Sequence, residues 1–158
     1  MSWWRSIPSV FAVIAFMSSS AFAEIPRSPE GEWTTVDDSS GKAKSIVKIS
    51  RAADGKLLGH IVKVLDEDAE PNAVCVKCKG ELKNKPMQGL RIMWDLAPEG
   101  DGEWDDGSVL DPENGKTYDC KIKLLEGGKK LRVRGYIGWS LFGRSQVWLR
   151  RSSAQKSP

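Results

Sequence analysis

One histidine, two tyrosines and three cysteines are all this 158-residue chain holds of the side chains that most often carry catalysis or bind metal. With His60 as its only imidazole, a Ser-His-Asp arrangement has a single choice of base, and no Gly-x-Ser-x-Gly elbow accompanies it. His60 with the three cysteines would be an acceptable zinc set, but nothing in the spacing brings them together, so no metal site is expected. Excess charge is missing too. Lys and Arg number 24 against 21 Asp and Glu, interspersed along the chain, which removes the footprint of a nucleic-acid binder. No apolar run reaches the roughly 20 residues that a membrane-spanning helix needs. No segment repeats its apolar residues at the period of a long amphipathic helix.

What is present begins with a leader. Arg5 precedes the apolar run "VFAVIAFM" and the small residues "AFA" at 21–23, the layout of a secretory signal peptide. Residues 1–23 are therefore expected to be removed, leaving 24–158 as a single domain without a transmembrane segment, in the periplasm. No cysteine stands at the cleavage point to take a lipid anchor.

Turn signals then recur at short intervals: "DDSSG" (37–41), "ADG" (53–55), "APEGDG" (97–102), "DPENG" (111–115) and "EGG" (126–128). Between them apolar residues alternate with period two. Tyr118, Cys120, Ile122 and Leu124 share one face, Leu90, Ile92, Trp94 and Leu96 another, and Leu131 and Val133 a third. This predicts eight strands, near 31–37, 42–51, 56–65, 87–96, 103–110, 116–125, 129–137 and 144–151. One-sided strands joined by short turns make an antiparallel sheet with one wet face. Eight of them bury the apolar face by closing into an all-β up-and-down barrel, with a two-sheet β-sandwich as the alternative.

The chain ends carry a resemblance. "GEW" at 31–33 and "QVWLRR" at 146–151 are similar to the calycin pattern, in which Gly-x-Trp packs beneath a terminal arginine at the barrel's closed end. That implies floor packing among Trp33, Trp148 and either Arg150 or Arg151. Together with "DDSSGK", "CVKCKG", "GSVLDPENGKTYDC" and "LRVRGYIGWSLFGRSQVWLR", the chain resembles the bacterial domain-of-unknown-function 2147 family of small exported lipocalin-like proteins. The resemblance brings a barrel and no activity.

In a meander, successive turns alternate between the two ends. "DDSSG", the insertion 66–86, "DPENG" and "GWSLFG" fall at one end, the presumed mouth; the short turns fall at the other. Trp139, Leu141 and Phe142, flanked by Gly138 and Gly143, then stand at the mouth. Three readings compete for them: a core cover, the wall of a ligand site, or a docking patch exposed as a unit.

The remaining motifs are bland by default. "CVKC" lacks the helix of a redox site and the histidine of haem attachment, so Cys75 and Cys78 are read as a loop-clamping disulfide, with pairing to Cys120 left open. Asp37 with Asp38 and Asp105 with Asp106 are turn carboxylates. Arg132, Arg134 and Tyr136 lie opposite Leu131 and Val133 and face solvent, unless that side lines a polar cavity where guanidiniums would suit an anionic head. The functional expectation is a non-enzymatic binder of a small, largely apolar molecule, without a cofactor. Trp139, Phe142, Trp94 and Tyr136 are its candidate contacts, and Arg134 and Arg144 its anchors for an acidic end. A docking module that uses the 138–144 loop on an unidentified protein partner or a membrane is the rival.

Overall fold

Eight short alternating segments joined by tight turns leave the chain one economical way to cover its apolar face, and it takes that way. The computed structural model describes residues 27–139 and 141–152; the signal peptide expected at 1–23 lies outside them. Strands β1 (Gly31–Val36), β2 (Ala43–Arg51), β3 (Leu57–Val64), β4 (Arg91–Gly100), β5 (Glu103–Asp111), β6 (Lys116–Leu125), β7 (Lys130–Tyr136) and β8 (Gly143–Arg150) follow in order. Each pairs antiparallel with its sequence neighbours, and β1 also pairs with β8, closing the barrel. The sandwich alternative is therefore set aside. Among the described residues the only helical pieces are single 3₁₀ turns at Gly80–Leu82 and Glu126–Gly128.

The core is the inner face predicted by alternation. Trp33, Val47, Ile49, Leu57, Met93, Leu96, Cys120, Ile122 and Leu131 are all fully buried. One strand departs from the expected frame. β4 runs to Gly100 instead of ending near 96, so most of "APEGDG" is strand, with Pro98 paired to Trp104. Asp95 and Asp106 adopt positive φ (62° and 58°) inside β4 and β5, a conformation that a short polar side chain tolerates better than an apolar one. The added residue shifts the alternation. Met93 and Leu96 are fully buried, whereas Trp94 pairs with Ser108 on the opposite side from Met93.

The closed end is built on Trp33. Its indole N–H donates to the Pro29 carbonyl at 2.8 Å, and the Arg150 guanidinium lies 4.2 Å from its ring centroid. Arg150 also donates to the carbonyls of Gly128, Glu30 and Ser28. The arginine left open by the sequence is thus Arg150; Arg151 instead stands 3.8 Å from Glu32. Burial lowers the Arg150 pKa, yet a guanidinium remains charged at any physiological pH.

The insertion 66–86 is held in three ways. Cys75 and Cys78 form the disulfide, Val74 bridges to Pro86, and the Cys75 sulfur contacts the Pro112 carbonyl at 3.6 Å. Cys120 remains a thiol, fully buried in β6. Burial, and then the charge of Asp105, push its pKa up to about 12.

A cavity at the open end

The mouth expected from strand parity is where a cavity opens. It has a volume of about 580 Å³, within the range of small-molecule sites. Ile61, Val64, Ile92, Val109, Leu110 and Val133 form its apolar wall, and Trp148 lies at its bottom. Alternation in "RSQVWLR" explains the last placement: Gln146, Trp148 and Arg150 share the inner face, in that order from mouth to floor. Trp148 therefore contributes to the cavity as well as to the packing above Trp33. Its indole N–H donates to the Gln146 amide oxygen at 3.2 Å. Thr35 and Ser45 add a hydroxyl pair, 2.8 Å apart, on the β1–β2 side. One wall is apolar, and the other offers hydrogen bonds.

Charged side chains ring the opening. Lys44 pairs with Glu113 and stands 3.8 Å from Asp37 and 3.7 Å from Asp66; the hydrogen bond to Glu113 raises its pKa. Arg144 pairs with Asp38, which also raises its pKa. The Asp37 carboxylate accepts hydrogen bonds from Ser39 and Ser40, both side chain and backbone, and these hold it well below the usual carboxylate range. Through Lys44 and Arg144, the β1–β2 turn, the start of the 66–86 insertion, the β5–β6 turn and β8 are drawn together.

Several candidate residues come to the cavity, and several do not. Phe142, Arg144 and Tyr136 border it. The Tyr136 hydroxyl, however, donates to Asp105 at 3.0 Å, and desolvation followed by that bond pushes its pKa up to about 12. Arg134 does not line the cavity; it donates to the Ser145 hydroxyl at 3.1 Å and to the Leu141 carbonyl. The anchor expected of it is thereby corrected, because its strand parity turns it outward. Trp94 is likewise corrected: it is absent from the lining and lies under Arg91, 5.7 Å from the guanidinium. Trp139 and Leu141 are also outside the lining.

The core-cover reading of the loop is overturned. Trp139, Leu141 and Phe142 are 78%, 79% and 77% exposed, with Ile137 beside them at 68%. They extend past the last paired residues, Tyr136 and Gly143, where no neighbouring strand remains to cover them. Residues that sequence reasoning missed include Lys44, Glu113, Gln146 and the apolar wall from β3 to β5. For Gln146 and the apolar wall the signal was available as inward parity, whereas Lys44 and Glu113 meet only when the barrel closes. Among the described residues no group of His, Cys, Asp and Glu is placed to hold a metal.

Comparison with known proteins places the fold. No curated protein sequence matches the chain. A solved structure described as protein HP1028 from the human pathogen Helicobacter pylori, which belongs to the lipocalin family, superimposes with a TM-score of 0.69 at 20% identity, covering 80% of this chain and 84% of that one. The shared feature is the barrel. A bacterial family described as "uncharacterized protein conserved in bacteria", domain of unknown function 2147, matches residues 31–150, and the chain belongs to it.

Proposed function

We propose that this protein is an exported, non-enzymatic carrier that holds a small, largely apolar molecule inside its barrel. The observation that carries the reading is the open cavity of about 580 Å³ with one apolar wall. An apolar wall of that extent offers the hydrocarbon part of a ligand a surface to be buried against. Phe142 at the rim and Trp148 at the base, with Tyr118 and Tyr136 also in the lining, are the aromatic contacts on the ligand's path. The leader and the Cys75–Cys78 disulfide support a periplasmic setting, where such bonds persist.

Native mass spectrometry of protein purified from its own host, followed by solvent extraction, tests this. An adduct is expected that is weakened in a Val109→Trp variant, whose larger ring narrows the cavity. A native protein that carries no adduct and takes up no chain-bearing amphiphile in titration would end the carrier reading.

One observation favours a second role for the rim. Trp139, Leu141 and Phe142 are exposed together, the condition for a docking patch. Loss of an in-cell crosslink in Trp139→Ala, with the adduct retained, would assign that loop to a partner or membrane surface instead.

A further inference from the structure

The cavity's lining contains two cations, Lys44 and Arg144, and both are already occupied. Lys44 is shared by three carboxylates, those of Asp37, Asp66 and Glu113. Arg144 is held by Asp38. Asp111, also in the lining, takes its hydrogen bonds from the Asn114 side chain and the Glu113 backbone N–H, both uncharged donors. Four carboxylates thus share two cations at the opening, Asp111 is a fifth with no cation paired to it among the described residues, and deeper in the cavity the polar groups are neutral. Of the charged side chains in the 66–86 insertion only Asp66 lines the opening; the other carboxylates there, and the four lysines Lys77, Lys79, Lys83 and Lys85, stand outside the lining.

We infer that the mouth selects a ligand with a cationic head, a protonated amine carried on an apolar chain. This rests on the carrier reading above and deepens it. An anionic head entering here must break the Lys44 or Arg144 pairing and leave its carboxylates uncompensated. An ammonium has the opposite effect, since carboxylates only accept hydrogen bonds and these outnumber the cations that serve them. The apolar wall takes the chain, while the mouth, still open to water, lets the head keep part of its hydration. The acidic end expected from Arg134 and Arg144 is thereby replaced: one of these arginines lies outside the cavity, and the other is paired.

Calorimetric titration of the purified protein with dodecylammonium, dodecanoate and dodecanol, each below its aggregation concentration, tests the inference. Dodecylammonium is expected to bind about tenfold or more tightly than dodecanoate at low salt, with dodecanol between them, and added salt should compress the difference. Asp66→Asn combined with Glu113→Gln should bring the two charged probes within a fewfold of each other. Equal or tighter binding of dodecanoate to the native protein would overturn the cationic preference while leaving the carrier reading standing. So would a preference that survives intact in the double variant. Equal binding by a Val109→Trp, Val133→Trp double variant, whose two indoles crowd the apolar wall, would show that the probe adsorbs elsewhere and would also overturn it. Failure of all three probes to bind would overturn this inference, and it would end the carrier reading as well only if the native protein also carries no adduct from its host.

Discussion

The two ends of the barrel each use arginine, and they use it differently. At the floor, Arg150 covers the Trp33 ring and gives its hydrogen bonds to backbone carbonyls of Ser28, Glu30 and Gly128. At the mouth, Arg144 is paired with one carboxylate, Asp38, and its side chain is largely exposed. Backbone carbonyls cannot be protonated and are fixed by the fold, so the floor contact is insensitive to pH and weakly screened. The mouth pairs are open to salt, acid and any charged visitor. The same side chain is thus a seal at one end and an adjustable element at the other.

The sharpest way to break this contrast is to remove the seal. Arg150→Ala leaves three carbonyls without their donor and uncovers Trp33, and should cost on the order of 3 kcal/mol in urea unfolding, given the value of hydrogen bonds to charged groups. Arg150→Lys should recover less than half, because an ammonium lacks the planar fork.

The next effects come from close backbone approaches. A methyl group at Gly107 would lie 2.5 Å from the Leu96 side chain, between the two bulged strands. Gly107→Ala should lower stability by about 1 to 3 kcal/mol in the same assay, the usual cost of overpacking. Gly115 has φ +70, and a methyl there would lie 1.8 Å from the Lys77 carbonyl oxygen. Gly115→Ala should lift the disulfide loop off the β5–β6 turn, seen as faster hydrogen exchange across 66–86 with the floor unchanged.

Smaller still is the effect of the mouth pairs. Lys44→Met should change stability by less than about 1 kcal/mol, the ordinary limit for exposed ion pairs, and the change should vanish in high salt. Asp37 adds a pH signature. Its folded pKa lies below its unfolded value, so its contribution is complete above the ordinary carboxylate range and is lost as pH falls through the folded value. Acid should therefore loosen the mouth before the floor, as followed by exchange of the 37–42 turn.

At the alkaline end Tyr136 behaves oppositely. Its folded pKa is raised to about 12, so its contribution is full below the unfolded value near 10 and disappears as pH climbs through about 12. In a Tyr118→Phe background, absorbance should show a single phenol ionising near the higher value.

Much of the architecture was legible because parity and turn chemistry are local. The strand order and the assignment of loops to ends follow from residues a few positions apart, while the Trp33 plug, whose partner Arg150 comes from the other end of the barrel's sequence, was legible only through the calycin resemblance. β4 was misplaced because its bulge rests on Asp95, as that of β5 rests on Asp106, and both look like ordinary solvent residues until their φ is known. That shift carried Trp94 away from the cavity. The exposure of Trp139, Leu141 and Phe142 contradicts the general tendency of large apolar side chains to be buried. It depends on where pairing stops, which composition does not encode. The charge balance at the mouth was hidden for another reason: Lys44, Asp66 and Glu113 come from three separate segments that only closure brings together.

Of the three cysteines two form the loop disulfide, and the placement of Cys120 decides what the third can do. Once the barrel closes, this sulfur lies inside the wall of β6, without solvent and without a thiolate to offer. Cys75 and Cys78, also buried, are already joined to each other. Folding thereby chooses the partner, and the leftover sulfur is kept from joining two molecules together.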